Sequence, residues 1–219
     1  PSDDKGKIAL FGAGARHTIK GGTGSGDVNS RSVVNIEQGL EEAGFEITTK
    51  GWLDTFDQVF AKHQEDYLAF IKKLCDEAGT TNPIGIMFEH PITLAPLPEV
   101  KPEDVDPSCD TAIVVITRDS GEGGDRKYDK GDYKFADDEI TLIKDLNAKF
   151  SKLIVLLNVG GVMNAIELKE IPGINAIVNI SQLGNIGGNI VADALTGLVE
   201  PSGRLTDTWA RSYEDYPNW

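Results

Sequence analysis

Apolar positions along this chain follow two alternating rhythms. Short continuous apolar runs occur at 7–12 (KIALFG), 45–49 (FEITT), 111–118 (TAIVVITR), 152–160 (KLIVLLNVG) and 176–181 (AIVNIS). Such runs suit strands buried on both faces, as in a parallel sheet. Between them the spacing turns helical. In SVVNIEQGLEEAGF, Val33, Ile36, Leu40 and Ala43 share one face, and Gly44 stands where a left-handed cap closes a helix. Leu53, Phe56, Phe60, His63, Tyr67, Phe70 and Leu74 recur at alternating threes and fours, the mark of a long amphipathic helix. His63 on that stripe reads as a packed histidine rather than a ligand. ADDEITLIKDLNAKF predicts a helix with Asp137, Asp138 and Glu139 in its first turn, where the helix dipole favours negative charge. GGNIVADALTG predicts a closing helix with Ile190, Val191, Ala194 and Leu195 turned inward and Gly197 at its end.

Strands alternating with helices imply an α/β fold: a three-layer α/β/α sandwich with a mostly parallel sheet of about five or six strands. Residues 80–110 carry six of the ten prolines and read as an ordered, irregular excursion, not a second domain. The length of 219 residues and 40% hydrophobic content suit a single domain, 1–219, with a sizeable core.

Charge narrows the possible partners. A net charge of −14 argues against nucleic acid, since phosphates are neutralised by clustered Lys and Arg, and against acidic lipid surfaces for the same reason. No apolar run reaches the roughly 18 residues needed to span a bilayer. Cys75 and Cys109 lack metal-ligand spacing and read as two reduced core thiols, which favours a cytoplasmic location. No cofactor or metal site is expected.

In parallel α/β sheets, functional residues gather on loops at the carboxyl ends of strands. Two such loops have unusual composition. After the first strand, GAGARH begins like G-x-G-x-x-G but has His17 at the third glycine, and the following helix starts too late to receive a pyrophosphate. Within the same loop, GGTGSGD offers Ser25 between Gly24 and Gly26; it is either a plain glycine turn or a place where backbone approaches a ligand closely. A serine nucleophile is disfavoured, because G-x-S-x-G is absent and nothing marks His17, His63 or His90 as its base. After the third strand comes DSGEGGDRKYDKGDY, Asp119 to Tyr133, with Glu122 between two glycines. Glycine neighbours leave that carboxyl free to reach a cleft. Asp119 and Asp125 would raise its pKa and Arg126 would lower it, so general-acid chemistry is open to it. The same composition also suits a solvated acidic loop.

SGEGGDRKYDKGDY, GGTGSGD and GGNIVADALTGLVEPSGRLTDTW together resemble the second domain of family 3 glycoside hydrolases, the β-glucosidase-like group, from about Lys7 to Trp219. IKGGTGSGDVNSR is most similar to members in which this domain precedes the barrel. The resemblance implies a retaining hydrolase of terminal β-D-glucosyl residues, whose site lies between a (β/α)8 barrel and this sandwich. It implies Glu122 as acid/base and Ser25 as a sugar contact, with Asp125 and Arg126 shaping the loop. The nucleophilic aspartate would lie on the barrel, which needs about 200 residues or more and is absent from this chain. The expected partners are therefore the barrel of the same polypeptide and a small β-glucoside or oligosaccharide. In one departure, LGNIGG places Ile186 where many members carry a carboxylate and Leu183 where they carry proline. Two other readings stand beside this one. A non-catalytic carbohydrate-binding or interaction module would bind sugar without regard to Glu122 or Ser25. A flavodoxin-like nucleotide or anion binder would be stabilised by NAD, FMN or ATP but not by glucose.

Overall fold

A computed structural model describes residues 5–121 and 126–217. Its elements in chain order are β1 (Lys7–Phe11), α1 (Ile36–Glu42), β2 (Glu46–Ile47), α2 (Lys50–Ala78), α3 (Ile84–Glu89), β3 (Thr111–Arg118), α4 (Asp137–Lys149), β4 (Lys152–Val159), α5 (Ile166–Lys169), β5 (Ile174–Asn179) and α6 (Gly187–Leu195). Among the described residues the strands form one five-stranded sheet in the order β2-β1-β3-β4-β5, every neighbouring pair parallel. This is the expected three-layer α/β/α sandwich.

The layers follow from burial. β3 is buried from Ala112 to Arg118, as a strand covered on both faces must be. β5 alternates between half-buried and exposed positions because it forms one edge of the sheet. Right-handed crossovers place α1 on one face and α2, α4 and α5 on the other. α6 returns to pack on α1, and the contact is backbone to backbone. A Cβ on Gly39 would lie 2.1 Å from the Gly188 carbonyl carbon, and one on Gly188 would lie 1.8 Å from the Asn35 oxygen, so both positions admit glycine alone.

Several elements differ in detail from their sequence signals. α1 starts at Ile36, because Asn35 forms a capping box with Gln38, so Val33 lies ahead of the helix. Gly44 follows α1 at φ 97°. On α2 the buried positions are Trp52, Leu53, Phe56, Ile71 and Cys75, while Phe70 is exposed. His63 is only half-buried; its Nε2 lies 3.0 Å from the Thr93 carbonyl oxygen and ties α2 to the proline-rich excursion. That excursion contains the unforeseen short helix α3. On α6 the buried residues are Gly187, Gly188, Val191 and Ala192, and Ile190 faces outward. Cys75 and Cys109 are buried free thiols. No helix among the described residues is long and apolar enough to cross a membrane.

Candidate active-site half

The order 2-1-3-4-5 reverses direction between β1 and β3, and ligands of open α/β sheets bind outside the carboxyl ends of the strands at such a point. Both unusual loops leave from there. They touch through backbone: a Cβ on Gly22 would lie 1.8 Å from the Ser120 oxygen, and a Cβ on Gly121 would lie 2.0 Å from Thr23 Oγ1 and 2.5 Å from Thr23 N. The glycines of GGTG and DSGE therefore serve a close approach between two loops. The β4 loop joins them at Gly160, where a Cβ would meet Ser120 Oγ at 1.8 Å.

Asn158, near the end of β4 and 1% exposed, fixes the arrangement. Its Oδ1 accepts from Ile19 N at 2.7 Å; its Nδ2 donates to Ile19 O at 3.0 Å and to Ser181 O at 2.6 Å. One amide thus clamps the loop after β1 through both the N–H and the C=O of Ile19 and ties it to the loop after β5. Ser181 adopts φ 50°, an uncommon region for a non-glycine residue, as its carbonyl engages Asn158. The β5 loop is zipped further: Gly184 N donates to Lys20 O, Val34 N to Asn185 O, and Ser30 Oγ to Asn185 Oδ1. Ile186 lies exposed in the turn Gly184–Ile186. Within the β1 loop, Lys20 Nζ donates to Asp27 Oδ1 at 2.7 Å and to Val28 O at 2.9 Å. Ser25 sits in the 3-10 turn Gly24–Gly26.

Thr18, Ile19, Lys20, Gly21, Asp27 and Val33 of the β1 loop, with Asp119 after β3, line an open cleft of about 280 Å³. Burial pushes the Asp119 carboxyl above its ordinary value, although it accepts from the backbone N–H groups of Thr23 and Ser120. Sequence analysis assigned Asp119 only an influence on Glu122. A carboxyl whose folded-state pKa is raised loses stability when it ionises: the penalty is absent below its unfolded pKa and complete above its folded one. Asp119→Asn should therefore raise the melting temperature of this chain at pH 7, with the gain shrinking as pH falls towards the unfolded value and gone at and below about 4. An equal gain at both pH values would mean that ionisation is not the cause.

Glu122 and Asp125 lie outside the described residues. Arg126 Nη1 donates to Asp132 Oδ1 at 2.9 Å, and Lys127 N donates to Asp132 Oδ2 at 2.9 Å. Tyr128 and Tyr133 pack against Tyr213 and Tyr216 of the C-terminal segment. Beneath the loop, Arg118 at the end of β3 and Glu139 in the first turn of α4 form a two-pronged ion pair at 2.7 and 2.6 Å, their side chains 2% and 7% exposed. Arg118 also donates to the carbonyls of Thr117, Asp132 and Lys134, and Glu139 accepts from Ala136 N. Sequence analysis did not single out this pair or Asn158. For Arg118 and Asn158 the available signal was a polar residue near the carboxyl end of an otherwise apolar strand.

Residues 2–219 match the Glycosyl hydrolase family 3 C-terminal domain. The chain belongs to this family. Among curated relatives it is 33% identical to beta-glucosidase A of Butyrivibrio fibrisolvens over 97% of its own length, covering 26% of that protein. It is 32% identical to a beta-glucosidase of Ruminococcus albus over its whole length, covering 21% of that protein. Among solved structures it superposes on beta-glucosidase 3B of Thermotoga neapolitana in complex with glucose, with TM-score 0.71 and 37% identity over 99% of this chain and 29% of the other. A beta-glucosidase of Paenibacillus barengoltzii gives TM-score 0.71 and 30% identity over 96% of this chain and 22% of the other. The family 3 domain described here thus spans between about a fifth and three-tenths of each of these proteins. α1 begins only at Ile36, so the family 3 domain also lacks the strand–glycine turn–helix continuity of a dinucleotide fingerprint.

Proposed function

We propose that this chain is the sandwich domain of a longer retaining β-glucosidase-like hydrolase and supplies one half of a shared active site. Glu122 is the general acid/base, Ser25 contacts the sugar in the subsite of the cleaved bond, and Asp125 and Arg126 shape the loop. The nucleophile belongs to a barrel domain elsewhere in the same polypeptide, and the substrates are small β-D-glucosides or oligosaccharides. One observation carries this reading: the two motif loops, distant in sequence, are packed backbone to backbone at the sheet's switch point beside an open cleft. The β-glucosidase relatives supply the chemistry.

A retaining mechanism needs two carboxyl groups about 5–5.5 Å apart. The first, from the barrel, attacks the anomeric carbon while Glu122 gives its proton to the leaving oxygen. Glu122, now ionised, then takes a proton from the water that releases the sugar.

With its nucleophile elsewhere, the isolated 219-residue chain should show no turnover of 4-nitrophenyl β-D-glucoside, while the full-length polypeptide containing it should hydrolyse that substrate. Turnover by the isolated chain that is abolished by Glu122→Gln would overturn the shared-site account.

A further inference from the structure

We propose that the Arg118–Glu139 ion pair is the positioning element of the glutamate loop, holding its two described arms in place without touching substrate. The proposal rests on the assignment of Glu122 above. Four observations carry it. Arg118 ends β3 four positions before Glu122, so any movement of Arg118 is passed directly to the loop's first arm. The same guanidinium donates to Asp132 O at 2.8 Å and Lys134 O at 3.3 Å, which fixes the returning arm. Asp132 in turn holds Arg126 and Lys127, the first described residues beyond Glu122. Glu139 completes the closure by accepting both guanidinium bonds and the N–H of Ala136, where the loop enters α4. One buried pair therefore gathers the strand end, both loop arms and the helix start.

Stability alone explains such a pair poorly. Removing two charges from water is costly, and apolar residues of similar volume often serve a fold as well or better. What apolar residues cannot do is hold backbone carbonyls at fixed points on two arms of a loop. Acid/base catalysis requires this kind of fixity, since a displacement of about 1 Å at a reacting group can cost on the order of 10²-fold in rate.

The test uses the full-length polypeptide and three variants: Arg118→Lys, Glu139→Gln, and the double apolar replacement Arg118→Met with Glu139→Leu. The double variant guards against loss of folding, because it leaves no unpaired buried charge. Each is assayed on methyl β-D-glucoside, whose leaving group needs protonation, and on 2,4-dinitrophenyl β-D-glucoside, whose leaving group does not. Glu122→Gln runs in parallel. The expected result is a fall in kcat/KM on the methyl glycoside of about 10²-fold, carried mainly by kcat, with much smaller losses on the dinitrophenyl substrate and a cooperative thermal unfolding transition showing that the double variant is folded. Equal losses on both substrates in a folded variant, or full activity on both, would overturn the positioning role. If Glu122→Gln itself fails to discriminate between the substrates, the acid/base assignment falls and the positioning claim falls with it.

Discussion

Glu122→Gln in the full-length polypeptide should slow hydrolysis of glucosides with poor leaving groups by about 10²–10⁴-fold, the usual contribution of a general acid. On 2,4-dinitrophenyl β-D-glucoside the first step should be nearly unimpaired, because that phenolate departs without a proton. The second step, in which Glu122 activates water, then becomes limiting. The substitution should therefore lower both kcat and KM on activated substrates and produce a burst of phenolate equal to the enzyme concentration. Glutamine keeps the size of the side chain, so a packing defect would not separate leaving groups in this way. A uniform loss across substrates, without a burst, would remove Glu122 from the chemistry.

The second large effect concerns folding. Asn158→Asp should destabilise the isolated chain by roughly 3–5 kcal/mol at pH 7, the order of cost of leaving one buried charge uncompensated. The reason lies in the contacts. Oδ1 of Asn158 receives one N–H, but Nδ2 faces the carbonyl oxygens of Ile19 and Ser181 at 3.0 and 2.6 Å. A carboxylate there would set a negative oxygen against two more oxygens in a site 1% exposed. The pH dependence has a definite sign. Burial and carbonyl repulsion raise the new carboxyl's folded-state pKa, so the penalty is present above that value and lost below its unfolded value near 3.9. Urea unfolding at pH 7 and pH 4, each against the unaltered chain at the same pH, should show the gap narrowing on acidification. A penalty independent of pH would mean that shape, not charge, is what Asn158 provides.

The sheet could be read from sequence because its signal is redundant. In TAIVVITR and KLIVLLNVG nearly every position is apolar, and only a strand covered on both faces buries such a run. Helix faces were legible but shifted. On α2 the spacing of threes and fours implies about 3.5 residues per turn, whereas a straight helix turns every 3.6, so the stripe drifts along its length. From Leu53 about five turns lead to Ile71, which is buried, and not to Phe70, which is exposed. On α6 the backbone contact of Gly188 with the α1 start turns Val191 and Ala192 inward and leaves Ile190 outside. That constraint comes from tertiary packing and leaves no local mark.

The loops were legible as composition but not as geometry. That GGTG and DSGE meet through Gly22 and Gly121 depends on the parallel pairing of β1 with β3, separated by about a hundred residues. Arg118, Glu139 and Asn158 were missed for a related reason. Each looks like an ordinary strand-end or first-turn residue until the fold supplies partners as far as 21 positions away for the Arg118–Glu139 pair and 139 for Asn158. Glu139 in particular fits a helix-dipole role so well that nothing local asks for a second one.

The most direct test of the shared-site account is chemical rescue. Glu122→Ala in the full-length polypeptide, turning over 2,4-dinitrophenyl β-D-glucoside with added azide, should recover activity and release β-D-glucosyl azide. Without a carboxylate at that position, azide can reach the glucosyl–enzyme and needs no base to attack it. Failure of azide to accelerate turnover, or an azide product of inverted configuration, would contradict the assignment of Glu122 as the acid/base of a retaining site.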